Sequence, residues 1–246
     1  MGGPAFRSSA ASALVAVFAL AAPLAAPAQG AVADPHVASI EQLLGRLELA
    51  NTSYEHGPGR IDWRGTVASH TDCSGLIDQL LMHDDGLDAD ALKRWFGSRR
   101  PTAKRYHDAI VEGRGFERLQ SVADLRPGDL IAIEYLTRHD NTGHVMLVAG
   151  AARQRPASPP LVDGTGQWSV DVIDSSESGH GATDTRHKRG PDGHDHDGLG
   201  GGVLRLYTDA AGHVEGFSWS TLKGSHFVAP ADEHVVLGRF LPGFRP

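Results

Sequence analysis

Thr71-Asp72-Cys73-Ser74-Gly75-Leu76-Ile77-Asp78-Gln79-Leu80-Leu81 carries apolar side chains at positions 73, 76, 77, 80 and 81. That is the stripe of a helix with one buried face. Thr71 or Asp72 can cap its start and Gly86 can end it. Cys73 therefore falls in the first helical turn, at the head of the buried stripe. A thiol there feels the partial positive charge of N–H groups that have no partner within the helix, which favours thiolate.

Upstream, Ile40, Leu43, Leu44 and Leu47 recur at helical spacing and predict a helix over residues 39–50, followed by a glycine-rich, loop-like stretch over 57–69. Ile61 and Trp63 within it can pack on the core or line a groove. Downstream, residues 89–96 and 102–112 are predicted helices, each followed by glycine, at Gly97 and Gly113. The texture changes at Arg126-Pro127-Gly128-Asp129, which suits a type II turn. Residues 129–135, 143–150 and 169–175 then read as strands, 203–208 with 214–220 as a hairpin, and 234–241 as a last strand. Helices first and antiparallel strands afterwards is an α+β layout, with helices packed on one sheet. Two segments stand apart: the proline-rich 152–167, and 179–202, dense in Gly, His and Asp. Neither is expected to bury much.

The N-terminus holds one charge, Arg7, then a small apolar run over 10–28 and an Ala31-Val32-Ala33 cleavage site. Residues 1–33 are therefore read as a signal peptide, leaving residues 34–246 as a single exported domain that starts at Asp34. Pro23 and Pro27 interrupt a run already weak for a spanning helix, so no membrane association is expected after cleavage. A net charge of −7 gives no footprint for nucleic acid or an anionic bilayer, which leaves neutral or amine-bearing partners. Cys73 is the sole cysteine, and exported proteins that keep cysteine usually pair it. It is either a small buried apolar side chain or a nucleophile.

The helix-end setting favours the nucleophile, and its N–H groups can help hold an oxyanion. A base must come from elsewhere in the chain. His144 follows Gly143 at the head of the apolar strand Val145-Met146-Leu147-Val148-Ala149, where a titratable group is costly unless something uses it.

Asp72-Cys73-Ser74-Gly75-Leu76, then Arg126-Pro127-Gly128-Asp129-Leu130, then Gly143-His144-Val145, in that order, resemble the motifs of NlpC-type cell-wall cysteine peptidases. The resemblance covers about residues 71–176. It implies a compact papain-like fold whose N-terminal helices, the nucleophile helix among them, pack on an antiparallel sheet. It also implies hydrolysis of peptide-stem bonds in peptidoglycan, or of related amides, with Asp72 and Ser74 binding the substrate's free amine. In that family the third group, which orients the histidine, is typically His, Asn or Gln on the next strand. Here the strand from Ser169 offers Asp174, which can accept from the imidazole and fix its tautomer, with His180 in the following loop as competitor. The histidines and aspartates of 179–202 have a spacing that fits no metal site, so neither metal nor cofactor is expected, and the protein is expected to be a monomer. Rival readings are a thiol amidase or acyltransferase on another substrate, and a non-catalytic exported binding protein.

Overall fold

The first helix is capped by an aspartate, Asp34. In the computed structural model the described residues are 1–3, 34–138, 141–187 and 196–246, so the expected signal peptide and its cleavage site lie outside them. Asp34 accepts from the N–H groups of His36 and Val37 and starts α1 (Pro35–Arg46), with proline in the first turn. The helix begins earlier than the apolar stripe alone suggests, because the cap sets its start. Its buried Val37, Ile40 and Leu43 join the core.

The stretch expected to be loop instead forms a small sheet of β1 (Thr52–Tyr54), β2 (Arg60–Asp62) and β3 (Ala68–Thr71), with β3 central. β1 runs parallel to β3 and β2 antiparallel. Strands this short are below the length at which alternation shows in a sequence. Ile61 is buried on the core and Trp63 packs at its margin.

α2 (Cys73–Asp84) follows, capped by Asp72, and buries Cys73, Leu76, Ile77, Leu80 and Leu81. Each of the four aliphatic side chains contributes roughly 1.5–3 kcal/mol of burial. α3 (Ala89–Phe96) and α4 (Ala103–Val111) complete the helical layer.

The second half is a strongly twisted antiparallel sheet of β4 (Phe116–Leu119), β5 (Leu130–Tyr135), β6 (Gly143–Val148), β7 (Arg153–Arg155), β8 (Gly166–Ser176), β9 (Gly198–Thr208), β10 (Val214–Ser218) and β11 (Glu233–Phe240). The order is β10-β9-β8-β6-β5-β11-β4, with β7 appended to β8. One face, with Leu130, Ala132, Val145, Leu147, Ile173 and Val236, packs under the helices. The other, with Ile131, Ile133, Met146, Val148, Val170, Val172, Leu204, Leu206 and Phe217, forms a second core. The sheet curls to make it, bringing β10 back against β11. β6 is consequently buried at every position, and its sequence reads as a continuous apolar run.

The molecule is thus an α+β protein, and Ala33–Pro246 form one compact unit. Among the described residues no helix is long and apolar enough to cross a membrane. Two contacts tie the sheets together beside the α2 terminus: Ser175 Oγ donates to the Thr71 carbonyl at 2.6 Å, and the Leu199 N–H donates to Thr52 Oγ1 at 2.9 Å.

Candidate active site

The first-turn N–H groups of a helix have no intrahelical acceptor. In α2, Asp72 Oδ1 takes the Gly75 N–H at 2.7 Å and the Asp72 carbonyl takes the Leu76 N–H, which leaves those of Cys73 and Ser74 at the helix end. Cys73 is buried, and a negative charge on it acts on the ring of His144.

His144 enters from β6. Gly143, directly before it, has φ +147° and pairs with Glu134; a Cβ at Gly143 would run into the Ile133 carbonyl. That glycine lets the strand close on β5 at the point where the imidazole must turn towards α2. His144 Nε2 lies 2.5 Å from Asp174 Oδ2, and an ionised carboxylate only accepts, so the nitrogen carries the proton and Nδ1 is left for the sulfur. Burial pushes this histidine down, but the negative charge on Cys73 and the hydrogen bond to Asp174 outweigh it and raise it to about 10.

Asp174 lies two residues beyond Val172 on the second-core face of β8, as strand alternation requires, and is wholly buried. Its carboxyl is opposed by burial, yet His180, Arg186 and His144 hold it well below the usual carboxylate range. Oδ2 receives both histidines, with His180 Nε2 at 2.8 Å, and Oδ1 receives Arg186 at 2.8 Å. The alternatives Asp174 and His180 are therefore successive members of one chain, Asp174 touching His144 and His180 standing behind it.

The segment after β8 departs from the expectation of a solvated loop. His180, Asp184 and Arg186 are all buried. His180 Nδ1 donates to the Trp219 carbonyl at 3.0 Å, its backbone N–H donates to Asp184 Oδ2 at 2.7 Å, and its ring stacks on Trp219. Both ring nitrogens face acceptors, so both carry protons. Arg186 bridges Asp174 and Asp184, and donates to the carbonyls of Asp174 and Gly198. Room for these groups comes from β9: a Cβ at Gly200 would stand 2.8 Å from Arg186 Cγ, and one at Gly202 would be 2.8 Å from His180 Cβ. Residues 198–202, glycine at all but Leu199, thus leave room for the buried polar side chains that lie across the strand. Arg186 escaped the sequence reading, and Asp184, weighed there only as a metal ligand, was not connected to Asp174; the one signal was that glycine run inside an otherwise apolar strand. Of the remaining histidines in this segment, His194 lies outside the described residues.

Asp72 and Ser74, expected to bind an amine, are engaged within the protein. Asp72 Oδ2 lies 2.5 Å from Arg100 and 3.2 Å from His56 Nδ1, and Ser74 Oγ donates to Oδ1 at 3.2 Å. Burial pushes the Asp72 carboxyl up, but Arg100, the Gly75 N–H and His56 bring it below its ordinary value. Asp72 is the helix cap and an ion-pair partner, and its charge is already balanced.

Beside His144 opens a polar pocket of about 220 Å³, lined by Tyr54, His56, Arg138, Glu177, His180 and Trp219 among others. The Trp219 ring meets His144 edge-on at 5.3 Å. His144, Asp174 and His180 also bring three ligating atoms within 4.8 Å of one another. As arranged, however, both Nε2 atoms donate to the same carboxylate oxygen, so an ion would have to displace those two protons.

An α+β protein with a buried Cys–His–Asp constellation at a helix N-terminus is what the fold and site define. The chain belongs to the same family as uncharacterized protein R653 of Acanthamoeba polyphaga mimivirus, to which it is 34% identical over 201 residues, covering 76% of this chain and 87% of that protein. No family model matches the chain. No solved structure matches it either.

Proposed function

We propose that this protein is an exported cysteine hydrolase of the NlpC-type, papain-like class, acting on peptide or amide bonds, with peptidoglycan stem peptides as the first substrate class. One observation carries the reading: Cys73 stands at the N-terminus of α2 within electrostatic reach of His144, whose Nε2 is fixed by buried Asp174. The Cys73 thiolate attacks the carbonyl carbon, and the N–H groups at the helix end hold the oxyanion. His144 gives its proton to the leaving amine as the C–N bond breaks, leaving a thioester on Cys73. His144 then takes a proton from water, the hydroxide adds to the thioester, and the C–S bond breaks to release the acid and restore the thiolate. Export rests on the leader pattern of residues 1–33.

The Asp72–Arg100 pair favours a second reading, a thiol amidase or acyltransferase whose substrate has no free amine near the scissile bond. A carboxylate already held by a guanidinium is a poor ammonium receptor. Mass spectrometry of digests of muropeptides, with and without N-acetylation of the stem amine, separates the two. Cleavage of the free-amine form alone supports the first reading, and cleavage of both supports the second. Turnover by Cys73→Ala at the wild-type rate would sink both.

A further inference from the structure

On the helix-covered face of the large sheet, opposite to the face that carries His144 and Asp174, three ligating side chains converge. His107 comes from α4, Glu134 from β5 and His234 from β11, the last two being direct cross-strand partners. One atom from each lies within 4.8 Å of the others. His107 Nε2 and His234 Nδ1 are 2.8 Å apart. On the other side of its ring His107 Nδ1 donates to Asp108 Oδ1 at 3.3 Å. In the neutral ring that proton leaves the Nε2 lone pair pointing at His234.

We propose that His107, Glu134 and His234 form a binding site for zinc or a similar divalent transition metal, which clamps α4 to the β5–β11 strand pair. Two imidazoles and one carboxylate are a borderline-soft donor set that suits zinc, with a water completing the tetrahedron. Zinc–nitrogen bonds of about 2.0–2.1 Å set two tetrahedral ligand nitrogens about 3.3 Å apart, so the rings need to separate only slightly. The ion takes the place of the proton now shared between them. Asp108 supplies the outer hydrogen bond that orients a ligating imidazole. Two cations oppose the ion: Lys104, at 2.7 Å from Glu134 Oε1 and 3.0 Å from Asp108, and Arg118, whose charge acts on His234. Lys104 is partly exposed and holds Oε1, while Oε2, 3.6 Å from His107 Nδ1, must turn to the Nε2 side of the ring to reach the metal. Because Glu134 pairs with Gly143, the ion braces from behind the strand that presents His144. The site is independent of any chemistry at Cys73.

The test is calorimetric titration of the metal-free full chain with zinc chloride, alongside cobalt(II) absorption as a coordination probe. The expected result is saturable binding, the intense visible bands of four-coordinate cobalt, and a zinc-dependent rise in Tm. His107→Ala and His234→Gln should each weaken binding by about tenfold or more. His234 is only partly buried, so His234→Gln decides the matter if His107→Ala fails to fold. Both variants leave the histidine-rich 179–202 intact. Unchanged zinc affinity in folded His234→Gln would assign the metal to that stretch and overturn the proposal, as would the absence of saturable binding in the wild type.

Discussion

Asp174→Asn isolates the group on which the site converges. The amide keeps the shape but has one acceptor oxygen. Arg186 can only donate, so the oxygen must face Arg186 and the NH2 must face the two Nε2 atoms now bonded to Oδ2 at 2.5 and 2.8 Å. His144 is then driven to carry its proton on Nδ1, against Cys73, in the tautomer that cannot take a proton from the thiol. In a serine-protease triad that swap costs roughly 10⁴ in kcat, or about 5.5 kcal/mol. The fold loses two hydrogen bonds to a charged group at roughly 1.5–3 kcal/mol each, or about 3–6 kcal/mol in total. For a domain of this length that lowers Tm by roughly 10–20 °C, so the variant should still be folded below room temperature. The assay needs no known substrate: iodoacetamide alkylation of Cys73, followed by intact mass, at a temperature where circular dichroism shows both proteins native. Alkylation should slow by orders of magnitude near neutral pH and recover only as the medium becomes alkaline enough to ionise an unassisted thiol. A wild-type rate and pH profile in folded Asp174→Asn would refute the orienting role.

Arg186→Met leaves two buried carboxylates and two carbonyls without their donor, and breaking such a buried pair costs about 3–5 kcal/mol, to be read from urea midpoints. An unchanged midpoint would remove Arg186 from the account. His144 has a folded-state value raised to about 10 against an ordinary 6.5, so its contribution to stability is full below about pH 6.5 and is lost as pH rises through about 10. Its imidazole NMR signals should titrate there, and markedly lower in Cys73→Ala, which removes the charge that does most to raise it; titration near 6.5 in the wild type would contradict the ion pair.

The elements readable from sequence were those whose burial leaves a periodic trace. The Cys73–Leu81 stripe located α2, and the apolar run after Gly143 located β6, because each buries side chains at its own characteristic spacing. Alternation along β8 placed Asp174 on the face of Val170 and Val172, where it meets His144. The strands β1 to β3 left no trace, being too short for alternation to exceed chance. The second core was hidden for another reason: period-two patterning says which residues share a face, and does not say that the sheet will curl to bury both.

The segment after β8 was misread because its composition carries opposite meanings in water and in the interior. Glycine, histidine and aspartate together suggest solvated loop, since burying such groups unpaired is costly. Here the pairing is supplied from several elements, which no local pattern reveals. The groups also pair: Asp174 faces His144, His180 and Arg186, and Asp184 faces Arg186. A lone Asp–His pair beside a thiolate would put a net negative charge into a dry core and be forced to neutralise. The added cations let Asp174 stay ionised, so that it can hold the His144 proton on Nε2 while Nδ1 serves the sulfur. Residues 180–186 therefore do more than close a loop: they surround the buried Asp174–His144 pair with hydrogen-bond donors and a countercharge.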